Sequence, residues 1–146
     1  MTRQEDKGKW EYLPHTADAQ FRAYGTNLEE AFTNASLAMA NITFESALIK
    51  PRQQKEIHVK ADSVRELLLM FLDEFVFLQD TEGFLLHEVT SLTIKKGMPW
   101  KLHAIVTGDH YKGYEMRGQL VKAATYNEII IEEKNDNCMV QVVVDI

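Results

Sequence analysis

Two short stretches hold the side chains best suited to chemistry: His15-Thr16-Ala17-Asp18 and the closing pair Asp145-Ile146. Asp18 and Asp145 offer side-chain carboxylates, and Ile146 offers the α-carboxylate of the last residue. Brought together, three such groups would make an all-oxygen site for a hard divalent cation such as Mg²⁺ or Ca²⁺. Their separation along the chain leaves that convergence open. Taken alone, His15 to Asp18 reads most simply as a turn capped by Asp or Thr. Lys122-Ala123-Ala124-Thr125-Tyr126 adds a cation and hydroxyls that could meet an anion, although alone it reads as a strand with one exposed lysine.

Other chemistries find less support. The five histidines (His15, His58, His87, His103, His110) show no HExxH or HxH spacing and no cysteine partner, so the sequence gives no zinc motif. Each reads as a strand or loop histidine. No P-loop, no GxGxxG after a strand and no GxSxG elbow is present. Asp73-Glu74 reads as the solvated face of a helix rather than as a catalytic pair. The single cysteine, Cys138, excludes an internal disulfide, and its apolar surroundings predict a buried, inert thiol.

Composition sets the frame for these residues. The chain has 146 residues, 45% hydrophobic and 26% charged, which fits one globular domain with a real core. A net charge of −6 with no basic tail argues against tight phosphate-driven binding to nucleic acid by this chain alone. No run approaches the roughly 18 apolar residues of a membrane span, and MTRQEDKGKW lacks the apolar core of a secretion signal. The expectation is a soluble cytoplasmic protein with a frayed segment at 1–8 and one domain over 9–146.

The elements that must position the site follow from hydrophobic periodicity. A short strand is expected from Lys9 to Leu13, ended by Pro14. A second follows from Ala19, with Phe21 and Ala23 on one face, so that His15 to Asp18 leads into it. Thr26 and Glu29 have capping-box spacing before an amphipathic helix running to Ile42. Residues 43–52 are irregular, and Glu56 to Lys60 alternates. A second capping box, Ser63 with Glu66, opens a helix whose apolar residues nearly encircle it, as in a central element or a subunit contact.

Beyond Gly83 the period changes to two. Strands are predicted over Leu85–Lys95, Trp100–Thr107, Gln119–Thr125, Glu128–Glu133 and Cys138–Ile146, with a turn at Thr107-Gly108-Asp109. The predicted fold class is α+β: a two-layer single domain of antiparallel meander sheet packed with two amphipathic helices. In the last strand Cys138, Val140, Val142, Val144 and Ile146 share one face, which would anchor the terminal carboxylate.

Several motifs occurring in order carry a family resemblance. Tyr12-Leu13, His15-Thr16-Ala17-Asp18, Arg22-Ala23-Tyr24-Gly25 and Leu28-Glu29-Glu30-Ala31-Phe32 resemble the archease family. So do Phe71-Leu72-Asp73-Glu74, Lys122-Ala123-Ala124-Thr125-Tyr126 and Val144-Asp145-Ile146, and the likeness runs from about Lys9 to the last residue. It implies a small cytoplasmic accessory protein, not an enzyme, that promotes guanylylation and multiple turnover of an RtcB-type tRNA-splicing RNA ligase. It also implies a divalent ion, Ca²⁺ or Mg²⁺, held by Asp18, Asp145 and the Ile146 terminus, with His15 and Lys122 in supporting roles. The alternative function is a general chaperone or modulator of tRNA-modifying enzymes such as a tRNA cytosine-5 methyltransferase. A metal-dependent hydrolase is the weakest reading, for want of a clear general base or nucleophile. The chain departs from the family pattern at Pro14, where many members carry an acidic residue, and at Ala19, where a β-branched residue is usual.

Overall fold

The computed structural model describes residues 5, 6, 8–15 and 18–146. Thr16, Ala17 and part of the segment expected to fray, residues 1–4 and 7, lie outside the described residues. In chain order the elements are β1 (Trp10–Leu13), β2 (Ala19–Gly25), α1 (Leu28–Thr43), a 3-10 turn (Ser46–Leu48), β3 (Gln53–Ala61) and α2 (Val64–Glu82). Then come β4 (Phe84–Lys95), β5 (Trp100–His110), β6 (Ala123–Lys134) and β7 (Asn137–Asp145).

The strands form two antiparallel sheets, one ordered β1-β2-β7-β6 and the other β3-β5-β4. The α+β fold class with two helices and antiparallel sheets is therefore as expected. The division of strands differs from a single run: the hairpins β4–β5 and β6–β7 belong to different sheets. Each sheet also recruits strands from the first half of the chain. Local alternation reports which face of a strand is apolar but not which neighbour it pairs with.

Both helices touch both sheets. α1 packs on β1, β2 and β7 and also on β4, while α2 packs on β3, β4 and β5 and also on β6. This explains why α2 is apolar nearly all round: Leu67, Leu68, Leu69, Phe71, Leu72, Phe75 and Leu78 are all buried. Phe71 stacks on Phe32 of α1 at 6.2 Å between ring centroids and meets Phe75 edge-on at 5.1 Å. Such aromatic pairs contribute about 1 kcal/mol each beyond the area they bury.

The helix starts show which capping register prevails. Ser63 caps α2, accepting from the Glu66 N–H at 3.2 Å, as its spacing predicts. In α1 the cap is Asn27 rather than Thr26: Asn27 Oδ1 accepts from the Glu30 N–H at 2.8 Å. The Glu30 carboxylate in turn accepts from the Thr26 N–H at 3.0 Å. The sequence offers two overlapping boxes, and the one with the asparagine cap forms.

Two strand expectations and one helix expectation change. Thr107-Gly108-Asp109 is not a turn but lies within β5. A Cβ on Gly108 would sit 1.9 Å from the Leu85 carbonyl oxygen, so this glycine serves close approach of β4 rather than chain reversal. The strands expected over Gln119–Thr125 and Glu128–Glu133 are one strand, β6, which begins only at Ala123 and has a break in register between Thr125, opposite Val143, and Ile130, opposite Gln141. Asp73 is more than a solvated helix residue, because its Oδ1 accepts from the Ala124 N–H at 2.9 Å and ties α2 to the start of β6.

Replacing Gly108 by alanine will destabilise the fold by about 2–3 kcal/mol through overpacking. Gly97→Ala, whose nearest outside contact would be 3.6 Å away, will have little effect; denaturant melts of the two variants check this. Cys138 is buried as expected, and burial, then the charge of Glu133, pushes its thiol up to about 11. Thiol reagents at neutral pH will therefore label Cys138 only as fast as the protein unfolds, measured by labelling rate against denaturant.

Candidate functional site

The expected site residues come from three strands that meet at one end of the larger sheet. β2 pairs antiparallel with β7 in a register that sets Ala19 opposite Val144 and Phe21 opposite Val142. Asp18 precedes Ala19 and Asp145 follows Val144, so the two aspartates stand one step beyond the last paired residues on neighbouring strands. Directly opposed strand residues lie about 5 Å apart. On the other side of β7, Ala123 pairs with Asp145, and the Lys122 N–H donates to the Asp145 carbonyl at 2.8 Å. Asp18, Asp145, Ile146 and Lys122 thus gather at the same sheet end.

Local sequence explains why this end is firm. Val140, Val142, Val143 and Val144 are fully buried, and Ile146 packs against the core from a partly buried position. β-branched residues on both faces hold β7 between β2 and β6 up to its last pair. The polar groups, in contrast, stay at the rim. Asp145 and Lys122 are exposed, and Asp18 is half-buried.

His15 sits against this cluster and brings in a residue that the sequence did not single out. Its Nε2 lies 2.9 Å from a carboxylate oxygen of Glu128. Its Nδ1 is buried without a hydrogen-bond partner among the described residues, 3.9 Å from Asp18 Oδ2. Glu128 is exposed and stands in the irregular part of β6 with φ 54°. That left-handed backbone is held by the Gln141 side-chain amide, which donates to the Glu128 carbonyl at 2.9 Å. Gln141 itself accepts from Arg22 Nε at 2.9 Å. The chain Arg22–Gln141–Glu128–His15 runs across three strands, and only the strand register reveals it.

Asp18 and Asp145 are donors of the type a hard cation takes, but among the described residues only Glu56, His58 and His103 bring three His, Cys, Asp or Glu ligand atoms within 4.8 Å of one another. Asp18 and Asp145 supply carboxylate oxygens, and Ile146 stands beside Asp145. His15 is turned toward Glu128 rather than standing as a free ligand. Its one hydrogen bond among the described residues is to Glu128, and Asp18 lies beyond hydrogen-bond distance of the other ring nitrogen.

A second group of ligand atoms lies on the other sheet. Glu56, His58 and His103 place one oxygen and two ring nitrogens within 4.8 Å of one another, on the outer face of β3 and β5. No spacing along the chain marks it, because His58 and His103 are far apart in sequence and meet only as a cross-strand pair.

Comparison with known proteins agrees with this architecture. The sequence profile of the Archease protein family (MTH1598/TM1083) matches residues 10–146. Protein archease from Pyrobaculum neutrophilum is 36% identical over 139 residues, covering 94% of this chain and 95% of that protein. Protein archease from Methanosarcina acetivorans is 32% identical over 142 residues, covering 94% and 96%. The solution structure of Methanobacterium thermoautotrophicum protein 1598 superposes with a TM-score of 0.79 at 29% identity, covering 94% of this chain and 98% of that one. A Thermotoga maritima archease, described as a possible chaperone, shares the fold with a TM-score of 0.61 at 18% identity, covering 92% and 94%. With its motifs in order, its fold shared with solved relatives and the family profile matching residues 10–146, the chain belongs to the archease family.

Proposed function

We propose that this protein is an accessory activator of an RtcB-type tRNA-splicing RNA ligase, acting through a divalent cation carried at its acidic sheet end. The observation that carries the reading is the β2–β7 register, which brings Asp18 and Asp145 to adjacent strand ends. Asp18 and Asp145 would hold Ca²⁺ or Mg²⁺ through side-chain oxygens, with the carboxylate of Ile146 as a third donor. His15 and Lys122 support them from either side. When bound, the ion supplies charge neutralisation for phosphates.

This chain's own residues do the positioning. The buried valines of β7 fix the height of Asp145, and the α2 contact through Asp73 fixes the start of β6 beside it. Guanylylation of the ligase joins a histidine to GMP and expels pyrophosphate. A rigid acidic rim that presents a cation at that centre would ease handling of the phosphates and so promote turnover. The net charge of −6 favours encounter with a basic, RNA-binding ligase rather than with RNA itself.

A second reading has a separate observation behind it. On α2, Met70 and Phe77 are 41% and 57% exposed. They stand seven residues apart and so on the same helix face. That pair offers an apolar contact for a chaperone-like role toward a tRNA-modifying enzyme such as a tRNA cytosine-5 methyltransferase, with no need of the acidic rim.

The two readings separate in one pair of assays. Under the first, Asp18→Ala, and equally a single glycine added after Ile146, lowers multiple turnover of the ligase at least about tenfold while single turnover of pre-guanylylated ligase is unchanged. Undiminished multiple turnover in both variants rules the cation-bearing rim out. Under the second, Met70→Ser with Phe77→Ser removes protection of an aggregating methyltransferase in light scattering, and Asp18→Ala does not. Met70 and Phe77 are both exposed, so stability should move by no more than about 0.5 kcal/mol for each of these two substitutions.

A further inference from the structure

The outer face of the β3-β5-β4 sheet carries residues that the proposed activator role leaves unused. His58 and His103 stand directly opposite each other on β3 and β5. Their rings stack at 4.4 Å between centroids, tilted by 18°. Glu56 lies two residues before His58, hence on the same face. One of its oxygens, Oε1, is 2.7 Å from His58 Nε2 and 3.1 Å from His103 Nε2. All three side chains are exposed or half-exposed.

We propose that Glu56, His58 and His103 form a site for a borderline transition-metal ion of the zinc class, separate from the acidic sheet end. Two imidazole nitrogens and a carboxylate oxygen suit Zn²⁺, Co²⁺ or Ni²⁺ and are poorly matched to Ca²⁺ or Mg²⁺. Four-coordinate zinc with bonds near 2.0–2.1 Å keeps neighbouring donor atoms about 3.3 Å apart. The carboxylate-to-imidazole separations of 2.7 and 3.1 Å are already close to that spacing.

The alternative account of the cluster is a hydrogen-bond network, in which both Nε2 atoms carry protons toward the same Glu56 oxygen. Those bonds, from His58 and then from His103, hold the Glu56 carboxyl below the usual range, which keeps it ionised. Metal binding needs both Nε2 atoms free of protons, so each neutral imidazole moves its single proton to Nδ1, and a ring that was protonated on both nitrogens releases its Nε2 proton to water. The rings must also turn out of their stack, because parallel imidazoles cannot point both nitrogens at one ion. Sheet backbone on either side fixes the Cβ positions, so only side-chain rotation is needed.

What completes the coordination follows from the neighbours. The next row across the three strands is Lys60, Lys101 and Lys95, in direct register. A surface pocket is lined by these three lysines together with His58, His103 and Thr93. Three cations beside the ion lower its affinity when water fills the open position. They favour an anionic ligand there, a carboxylate or a phosphate group.

The test uses the full chain without a histidine tag, titrated with Co²⁺ and followed by its visible absorption. One equivalent should develop the intense band of a four-coordinate site, displaced by Zn²⁺ and not by excess Ca²⁺ or Mg²⁺. His58→Asn and His103→Asn should each weaken Co²⁺ binding tenfold or more with an unchanged melting temperature. His87→Asn and Asp18→Ala should leave it as in the wild type. Absence of the band, its survival in both histidine variants, or its loss in Asp18→Ala would each overturn the proposal. Because the readout is metal binding at Glu56, His58 and His103, it stands or falls independently of ligase activation.

Discussion

The antiparallel pairing of β2 with β7 is the constraint on which the rest of this molecule depends. It joins a strand near the start of the chain to the last strand, with Ala19 opposite Val144 and Gly25 opposite Cys138. A shift of one residue would turn Phe21, Ala23, Val140, Val142 and Val144 away from the core. All five are fully buried, so the register is fixed by their burial at roughly 1.5–3 kcal/mol for each of the larger side chains. The position of Asp18 relative to Asp145 is a by-product of that apolar arrangement. The polar rim inherits its geometry from the core beneath it.

Two further ties keep that rim in place. Through Asp73, α2 satisfies the Ala124 N–H at the beginning of β6, beyond which Lys122 and Ala123 lie against Asp145. Through Glu128, the irregular section of β6 reaches His15. The first tie gives an exposed backbone donor a partner, and the second gives a loop imidazole one. Break either and the aspartates remain on neighbouring strands, but the groups around them lose their orientation.

The two sheets divide the polar chemistry between them. The larger sheet ends in hard oxygen donors, while the smaller one displays nitrogen donors and lysines on its solvent face. Cross-strand neighbours explain the second set. His58 meets His103, Lys60 meets Lys101, and Lys101 meets Lys95 because β5 is the middle strand and pairs on both edges. Like charges set directly opposite one another oppose folding by a few tenths of a kcal/mol or more. Edge lysines also discourage sheets from pairing with one another, but that accounts only for Lys60 and Lys95, not for Lys101 on the central strand.

By itself the sequence determined the element types, both helices to within a residue or two, the burial of Cys138 and, through ordered motifs, the family. These are local matters: periodicity of 3.6 or 2, capping residues at fixed offsets and short runs of matching residues are all legible along the chain. Only the tertiary structure decided the pairing of strands, and with it Glu128 beside His15, Asp73 under β6, Gly108 inside a strand rather than a turn, and His58 over His103. Each of these rests on contact between residues remote in sequence, set by which apolar faces bury together. Nothing in the neighbouring residues of either partner encodes that choice.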